Sequence, residues 1–169
     1  MTEVLLRARD AIVRAHIAAE ERGDWDAALR TFARPRYEIV ATGEVHDGES
    51  AVDRFYAESR SAFGAMRFET RGIHHAGSVV FHEVVFRARH VGPWRGLWAT
   101  DRDVEYAMLN LFEFEDDRLI CERMYFDVGT PLRQIGIARD PTSLAGRIEI
   151  GLCHPLIVGS AFVRSLGRR

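Results

Sequence analysis

The sequence has few or none of the features that mark several large classes of protein. Its 169 residues include two cysteines, Cys121 and Cys153, which stand far apart and in no metal-like spacing. We therefore expect no disulfide framework, and a reducing, cytoplasmic compartment fits this cysteine usage. The N-terminal stretch contains Glu3 and Asp10 and no long apolar segment, so we expect no signal peptide. No apolar run reaches the length needed to span a bilayer.

The sequence also lacks a large excess of either positive or negative charge. The formal net charge is −2, although 28% of the residues are charged. This balance gives no electrostatic reason to expect nucleic acid or an anionic membrane as the main partner. We therefore predict that the chain binds neither nucleic acid nor a membrane.

Motifs that would hold a metal or a cofactor are missing from the sequence. There is no HExxH motif and no close set of cysteines and histidines, so we predict no metal site. The glycines form neither GxGxxG nor GK[ST], which excludes the common phosphate-binding loops, and no GxSxG marks a serine nucleophile. We therefore expect a protein that uses no cofactor.

Helical periodicity dominates the first third of the chain. Apolar residues near a 3.6-residue period predict a helix over 3–21 that ends at Gly23. Shorter helices are predicted over 25–32 and 48–63, with a strand over 37–43 between them. The 47% of hydrophobic residues suffices for one domain with a real core.

Strand patterns replace the helical ones from residue 66 to residue 127. Val, Phe and Tyr are dense there, and turn residues separate the runs. Thr130 followed by Pro131 is typical of the start of a short helix. Helices followed by a curved antiparallel sheet predict an α+β fold. Residues 138–169 are an apolar extension with a basic end.

The last predicted strand carries an acid at its end. Strict alternation places Leu119, Cys121, Arg123, Tyr125 and Asp127 on one face of this strand. An acid at the mouth of an apolar cavity is a candidate proton carrier, because burial raises the pKa of a carboxyl group. The alternatives are that Asp127 caps the following helix or pairs with a nearby arginine.

Histidines and aromatic residues are further candidates. The run VVFHEVVFRARH places His82 and His90 on one apolar face, where a histidine could move a proton or bind a carbonyl oxygen. The alternative is that both are hydrogen-bonded core or rim residues. Trp25, Phe55 and Trp98 could line an apolar pocket, although most aromatic residues simply fill a core.

Two segments carry a resemblance to a known family. RARHVGPWRG and LNLFEFEDDRLICERMYFD, together with three preceding helices, resemble the SnoaL-like polyketide cyclase branch of the NTF2-like superfamily over residues 1–137. The resemblance implies a cone-shaped α+β fold with a pocket between a concave sheet and the three helices. It also implies a homodimer. Residues 138–169 would be a C-terminal extension that packs on the domain or on a partner.

The resemblance also implies roles for single residues. Asp127 takes the position of the general acid/base of SnoaL-type cyclases, and His90 matches the histidine of the preceding glycine-flanked segment. The usual Glu-His-Trp of the last strand reads Glu122-Arg123-Met124 here. Limonene-epoxide-hydrolase-like proteins also end this strand in Tyr-Phe-Asp. They need an Arg-x-Asp pair, however, and the corresponding stretch here, 87–90, has no aspartate.

The sequence therefore predicts a cofactor-independent cyclase-like or isomerase-like enzyme for a small hydrophobic carbonyl compound or ester. Asp127 would move the proton and His90 would stabilise the enolate oxygen. The substrate would contact Tyr125, Arg123, Trp25, Phe55 and Trp98. The alternatives are a non-catalytic protein that binds a hydrophobic ligand, an epoxide-hydrolase-like enzyme, and an interaction protein whose pocket is filled by the C-terminal extension.

Overall fold

Three helices lie in the first 62 residues and form where the sequence predicts them. In the computed structural model, which describes residues 2–166, α1 spans Glu3–Glu21, α2 spans Trp25–Arg30 and α3 spans Glu49–Ala62. Gly23 separates α1 from α2 in the left-handed conformation, with φ +69°. The side chain of Asp24 then accepts a hydrogen bond from a backbone amide and caps α2.

Six strands form one sheet in the order β2-β1-β6-β5-β4-β3. Their bounds are β1 Arg36–Ile39, β2 Glu44–Asp47, β3 Phe63–Ala76, β4 Val79–His90, β5 Asp103–Glu115 and β6 Arg118–Phe126. The predicted α+β class is confirmed. One pair, β1 with β6, is parallel and departs from the predicted antiparallel pattern, because β1 joins the sheet beside the last strand in the chain.

Irregularities in the strand pairing bend the sheet. The pairing of β3 with β4 shifts register twice, between Gly64 and Arg67 and between Thr70 and Gly72. A third shift separates Leu119 from Cys121 in β6 and leaves the residue between them without a partner on β5. Each such bulge bends its strand and reverses the inward and outward alternation beyond it.

The core lies between α1–α3 and the inner face of the sheet. Fully buried apolar residues from every layer meet there, among them Val13, Val52, Val80, Phe112 and Leu119. A second cluster of buried residues joins β4, β5 and the segment that follows β6. That segment contains a short helix, α4, over Gly129–Gln134.

The chain divides into two units, Met1–Ile135 and Gly136–Arg169. The second unit contains α5 over Leu144–Cys153 and α6 over Pro155–Leu166. Ser143 caps α5, because its side-chain oxygen accepts a hydrogen bond from a backbone amide of the first turn. Among residues 2–166, no single helix is long and apolar enough to cross a membrane.

Candidate active site

A cavity of about 90 Å³ opens within the first unit, on the inner face of the sheet. Its wall is mainly aromatic and sulfur-containing, with Trp25, Phe55, Phe63, Phe86, Met108 and Phe126 among the lining residues. A few polar side chains also reach it, including Glu20, Tyr37, Tyr56 and Asn110. An apolar pocket with a small number of placed polar groups is the usual form of a small-molecule site.

A second cavity of about 450 Å³ adjoins the first and shares Phe55, Ser59, Trp94 and Arg95 with it. Both guanidinium NH groups of Arg95 donate to the carboxylate of Glu44, at 2.6 and 2.5 Å. The Arg95 guanidinium also lies 5.7 Å from the ring centre of Trp94. These contacts hold the segment after β4 over the boundary between the two cavities.

Side chains from four elements of the fold form an ionic cluster beside the first cavity, which we call the inner cavity. His16 and Glu20 are one turn apart on α1, so both side chains leave the same face of the helix. Tyr37 and Glu122 are register partners in the parallel pair of β1 and β6, so their side chains lie on the same face of the sheet. Tyr56 reaches the cluster from α3. All five side chains are buried.

His16 is a protonated imidazolium in this arrangement. Its Nδ1 faces the carbonyl oxygen of Ala28 at 3.2 Å and the hydroxyl oxygen of Thr31 at 2.7 Å. A carbonyl oxygen only accepts, so Nδ1 carries a proton. Its Nε2 lies 3.3 Å from a Glu20 oxygen and 3.2 Å from a Glu122 oxygen. Burial alone would lower the pKa of His16, but these two carboxyl groups outweigh it and raise that pKa to about 10.

Burial favours the protonated form of Glu122. Burial raises its pKa, and the neighbouring imidazolium of His16 offsets only part of that rise. Its Oε2 atom is fully buried and lies 3.2 Å from His16 Nε2, without a well-aligned hydrogen bond among residues 2–166. Protonation of Glu122 reduces the negative charge beside the imidazolium.

Two tyrosines connect the cluster to the cavity. The Tyr37 hydroxyl donates to Glu20 Oε1 at 2.9 Å and lies 2.8 Å from His16 Nε2. The Tyr56 hydroxyl lies 3.0 Å from the Tyr37 hydroxyl. Burial raises the pKa of both phenols well above the usual value, and the nearby carboxylates raise it further. Both tyrosines therefore stay neutral and act as hydrogen-bonding groups.

Asn110 and His82 extend the polar surface toward β4 and β5, where they are register partners. Both are buried, and Asn110 also lines the cavity. Asn110 Oδ1 and His82 Nδ1 have no partner in the described part of the chain. His82 Nε2 lies 2.9 Å from the Thr70 hydroxyl. Burial lowers the pKa of His82 to about 4, so this histidine is neutral near pH 7.

The atoms of His16, Glu20 and Glu122 could also serve as metal ligands, since one ligand atom from each lies within 4.8 Å of the others. In the imidazolium form that the raised pKa of His16 favours, Nε2 carries a proton and faces oxygens of Tyr37, Glu20 and Glu122, whereas a metal ligand must offer a lone pair. We therefore treat the three residues as an ion-pair network.

Asp127 lies outside the cavity, and the predicted inward orientation is wrong. Its side chain is 64% exposed. One oxygen accepts from the Gly129 amide at 2.9 Å, and the other accepts from the Thr130 hydroxyl at 2.7 Å and from Arg133 at 3.0 Å. These bonds, with the Thr130 hydroxyl contributing most, lower the pKa of Asp127 where the sequence predicted a rise. Asp127 thus stabilises the start of α4.

The bulge in β6 explains this error. Leu119 is fully buried on the inner face, and strict alternation would carry that face to Cys121, Arg123 and Asp127. The extra residue in β6, Ile120, shifts the register by one. Met124 and Phe126 therefore line the cavity beyond the bulge, and Asp127 follows on the other face.

The remaining predicted site residues divide into two groups. Trp25 and Phe55 line the cavity as predicted. Trp98 is 85% exposed, and Tyr125 lies on the outer face at 38% exposure, so neither reaches it. Arg123 is also on the outer face, where it bonds Glu38 at 2.7 Å and Glu113 at 2.8 Å.

His90 is fully buried but does not line the inner cavity. Its Nδ1 lies 3.1 Å from the Thr100 hydroxyl and accepts from the Thr100 amide at 3.3 Å. Its ring lies 5.8 Å from the ring of Phe63, which does line the cavity. Nδ1 is therefore hydrogen-bonded to the segment after β4, as in the alternative of a core histidine, whereas Nε2 is buried without a partner among residues 2–166.

Two site residues that were not predicted, His16 and Glu20, could have been recognised from the spacing of residues along α1. Val13 and Ile17 are buried, and His16 and Glu20 lie on the same stripe at the helical spacing. A histidine and a glutamate four residues apart within an apolar stripe must be buried together, which is unfavourable unless they have partners. No comparable signal marked Glu122, because its burial depends on the bulge.

Comparisons with known proteins agree with the fold. A model of the family described as SnoaL-like polyketide cyclase matches residues 10–135. No curated protein matches the chain at a significant level. A structure from Jannaschia sp. CCS1, provisionally described as a SnoaL-like polyketide cyclase, has a TM-score of 0.71 and 17% identity, and it covers 79% of this chain and 94% of its own.

Two further structures are similar at the same level. A provisionally described polyketide cyclase from Xanthomonas campestris pv. campestris has a TM-score of 0.67 and 21% identity, covering 77% of this chain and 98% of its own. AclR from Streptomyces galilaeus, provisionally described as a hydroxylase, has a TM-score of 0.67 and 16% identity. The match covers 78% of this chain and 97% of AclR. These likenesses show the NTF2-like fold. The homodimer expected from the resemblance stays a prediction.

Proposed function

The chain belongs to the SnoaL-like polyketide cyclase family, and from that premise we propose that it is an acid/base enzyme that moves a proton on a small apolar carbonyl compound. The observation that carries the proposal is the position of Glu20. Its carboxyl group lies on the wall of the inner cavity, next to a buried imidazolium. A carboxylate placed in this way is a general base within reach of a bound ligand.

The cavity wall supports the choice of substrate class. Aromatic and methionine side chains dominate it, which favours a flat or ring-containing apolar ligand. Asn110 supplies a polar group on the same wall for a substrate oxygen. The chain contains no lysine, since all 23 basic residues are arginine. Activation of a carbonyl through a lysine imine is therefore excluded, and proton transfer fits the residues present.

In the proposed step, the Glu20 carboxylate removes a proton from the carbon next to the substrate carbonyl. The electrons of the broken C–H bond form a C=C bond, and the carbonyl oxygen becomes the enolate oxygen. The amide N–H of Asn110 donates a hydrogen bond to that oxygen, where negative charge develops. Glu20 holds the proton as a carboxylic acid until the next step.

The enolate has two outcomes, and Glu20 serves both. In a cyclisation, the enolate carbon forms a bond with a second carbonyl carbon of the same substrate, and the new alkoxide oxygen takes the proton from Glu20. In an isomerisation, another carbon of the enolate takes that proton. Glu20 returns to the carboxylate in either case, so neither outcome needs an added reductant or oxidant.

The buried cluster prepares Glu20 for this role. The imidazolium of His16 lies 3.3 Å from Glu20 Oε1 and places a positive charge beside the carboxyl group that begins the reaction. The Tyr37 hydroxyl, which donates to the same oxygen, fixes its orientation. A base held in place by partners that are themselves buried needs little rearrangement when the substrate binds.

The test follows hydrogen–deuterium exchange at the carbon next to the carbonyl, by NMR in D₂O, with small aryl ketones and β-diketones as probes. We expect the wild-type protein to accelerate exchange above the buffer rate for at least one probe. Glu20→Gln removes the base and keeps the shape, and it should slow exchange by about 10²-fold or more, which is the usual contribution of a general base. The NMR titration of the same probes measures binding in parallel.

Asp127→Asn is the matched control, because it makes the same acid-to-amide change on the outer face. If the exchange rate falls in Asp127→Asn but stays at the wild-type value in Glu20→Gln, the catalytic base is Asp127, as the family resemblance implies. Probes that bind without any accelerated exchange would refute the enzymatic proposal.

A non-catalytic binding protein is the second candidate, and one observation favours it. The polar groups of Glu20, Tyr37 and Tyr56 hydrogen-bond to one another without any ligand, so the cluster can be purely structural. On this reading, probes bind equally well to the wild type and to Glu20→Gln, and neither protein accelerates exchange.

A further inference from the structure

The C-terminal unit exposes an unusual amount of apolar side chain. Of the large hydrophobic residues that are exposed in the described chain, most lie on α5 and α6: Leu144, Ile148, Ile150, Leu152, Leu156, Ile157, Val158, Phe162, Val163 and Leu166. On α6, no residue is buried. A contiguous exposed apolar surface of this kind usually marks an interaction site.

The apolar residues of α6 have a helical spacing. Val158, Phe162 and Leu166 are four residues apart and lie on one face of the helix. Ser160 and Arg164 are also four residues apart and lie on a different face. The helix is therefore amphipathic, with a broad apolar face and a narrow polar face that carries a positive charge.

The charges of this segment have one dominant sign. From residue 144 onward the sequence contains the four arginines Arg147, Arg164, Arg168 and Arg169 and a single acid, Glu149. Glu149 is already paired with Arg139, at 3.1 Å. The chain as a whole has a formal net charge of −2, so this segment has a net positive charge in a protein that is otherwise net negative.

The lengths of α5 and α6 and the bend between them favour binding to a membrane surface over crossing the bilayer. With 10 and 12 residues, α5 and α6 are each about 15–18 Å long, which is roughly half of the apolar thickness of a bilayer. The two helices are apolar enough to cross a membrane only if taken together, and they meet at a bend of 105°. Short amphipathic helices with arginines bind in the plane of the interface.

We propose that α5 and α6 form a membrane-docking surface that binds the headgroup region of anionic lipid bilayers. The apolar face of α6 would enter the boundary between headgroups and acyl chains, and the arginines would pair with lipid phosphate and carboxylate groups. This proposal departs from the sequence-based expectation of no membrane partner, which rested on the net charge of the whole chain. It does not depend on the proton-transfer function of the inner cavity.

Charge complementarity favours a lipid surface over a second copy of this chain. A second copy joined through α6 would offer these arginines no negative partner on that helix, since α6 has no acidic residue. An anionic bilayer instead provides negative charge along the whole length of the segment, and arginines near its surface strengthen binding.

The experiment is sedimentation of the full-length protein with vesicles. One set contains phosphatidylcholine and phosphatidylserine, and the other contains phosphatidylcholine alone. We expect binding to the anionic vesicles that weakens as salt is added, because added ions screen the arginines. Phe162→Asp should weaken partitioning about tenfold or more, because an aromatic side chain that would enter the apolar part of the bilayer is lost. Arg164→Gln should weaken it about fivefold on anionic vesicles.

Val4→Asp is the matched control, because Val4 is also an exposed apolar residue, at the start of α1, where an acid is well tolerated. It should bind vesicles as the wild type does, and circular dichroism should show that all variants are folded. Failure of the wild type to bind either vesicle overturns the proposal, as does binding that Phe162→Asp leaves unchanged. If the wild type binds no vesicles but forms a dimer that Phe162→Asp dissociates, the surface binds a second copy of the chain. This result also overturns the proposal.

Discussion

The two faces of β6 place similar charged groups in opposite surroundings. On the inner face, Glu122 is buried against His16, with 1% of its surface exposed. On the outer face, Arg123 bonds Glu38 and Glu113, and Asp127, just beyond the strand, bonds Arg133. The residues are neighbours in sequence, and one strand carries both sets.

The difference in burial changes what each set can do. An exposed ion pair is solvated and contributes little to stability, because water screens both charges. A buried acid is desolvated, so its pKa shifts and the removal of its partner leaves an uncompensated charge. Acid/base chemistry near neutral pH uses such shifted groups, which is why the inner set is the better candidate for function.

Removal of the buried cation should have the largest effect. His16→Leu keeps an apolar volume in the core but leaves Glu20 and Glu122 without their imidazolium. The free energy of unfolding should fall by about 3–5 kcal/mol, the usual result of breaking a buried pair. Urea denaturation at pH 7 measures it.

Glu122→Gln is the control for this prediction. The amide mimics the protonated acid that burial favours, so the loss of stability should be clearly smaller than in His16→Leu. If the two variants unfold at the same urea concentration as the wild type, the cluster carries no buried charge and the comparison between the two faces fails.

The same cluster should also make stability depend on pH, and this effect should be intermediate in size. The pKa of His16 is about 10 in the folded protein and 6.5 in the reference state, so the folded state binds more protons between these values. Its stabilising contribution is complete below pH 6.5 and is lost as the pH rises toward 10. The urea midpoint of the wild type should therefore fall across this range.

His82→Phe separates this effect from that of a second buried histidine. The pKa of His82 is lowered to about 4, so its contribution to stability is present above pH 6.5 and is lost as the pH falls toward 4. The variant should keep the alkaline decline and lose part of the acid one. An alkaline decline that persists in His16→Leu would assign the effect to other groups, such as the tyrosines.

The smallest effects should come from the outer face. Asp127→Asn and Arg123→Gln each disturb solvated ion pairs, so the melting temperature should change little and proton exchange on the ketone probes should stay at the wild-type rate. Asp127→Asn should still loosen the start of α4, which faster amide exchange at Gly129 and Thr130 would reveal. A loss of probe exchange in either variant would place function on the outer face.

Periodicity in the sequence was sufficient for the first three helices, whereas β2 and the helices α5 and α6 were not predicted. The predicted helices over 3–21, 25–32 and 48–63 correspond to α1, α2 and α3 within two residues at each end. Helices and strands depend on spacing along the chain and on local caps, which a single sequence displays. The strand predicted over 37–43 is shorter, because β1 ends at Ile39 and the chain turns before β2.

The candidate site was only partly predictable. Trp25 and Phe55 were expected at the cavity because large aromatic residues on packed elements reach the interior. Asp127 and His90 were expected there from the resemblance, and the structure places both elsewhere. Strict alternation fails across a bulge, and a bulge is visible only when two strands are paired.

The sequence by itself determined the α+β class, the positions of the first three helices and the absence of cysteine or glycine motifs for metal or phosphate binding, because these features follow from composition and local spacing. Only the tertiary structure decided which acid faces the cavity. The inward direction of Glu122 depends on the extra residue Ile120 in β6, and the buried cluster forms because α1, β1 and β6 meet there. Side chains that are distant in sequence acquire shifted pKa values only when folding removes them from water together.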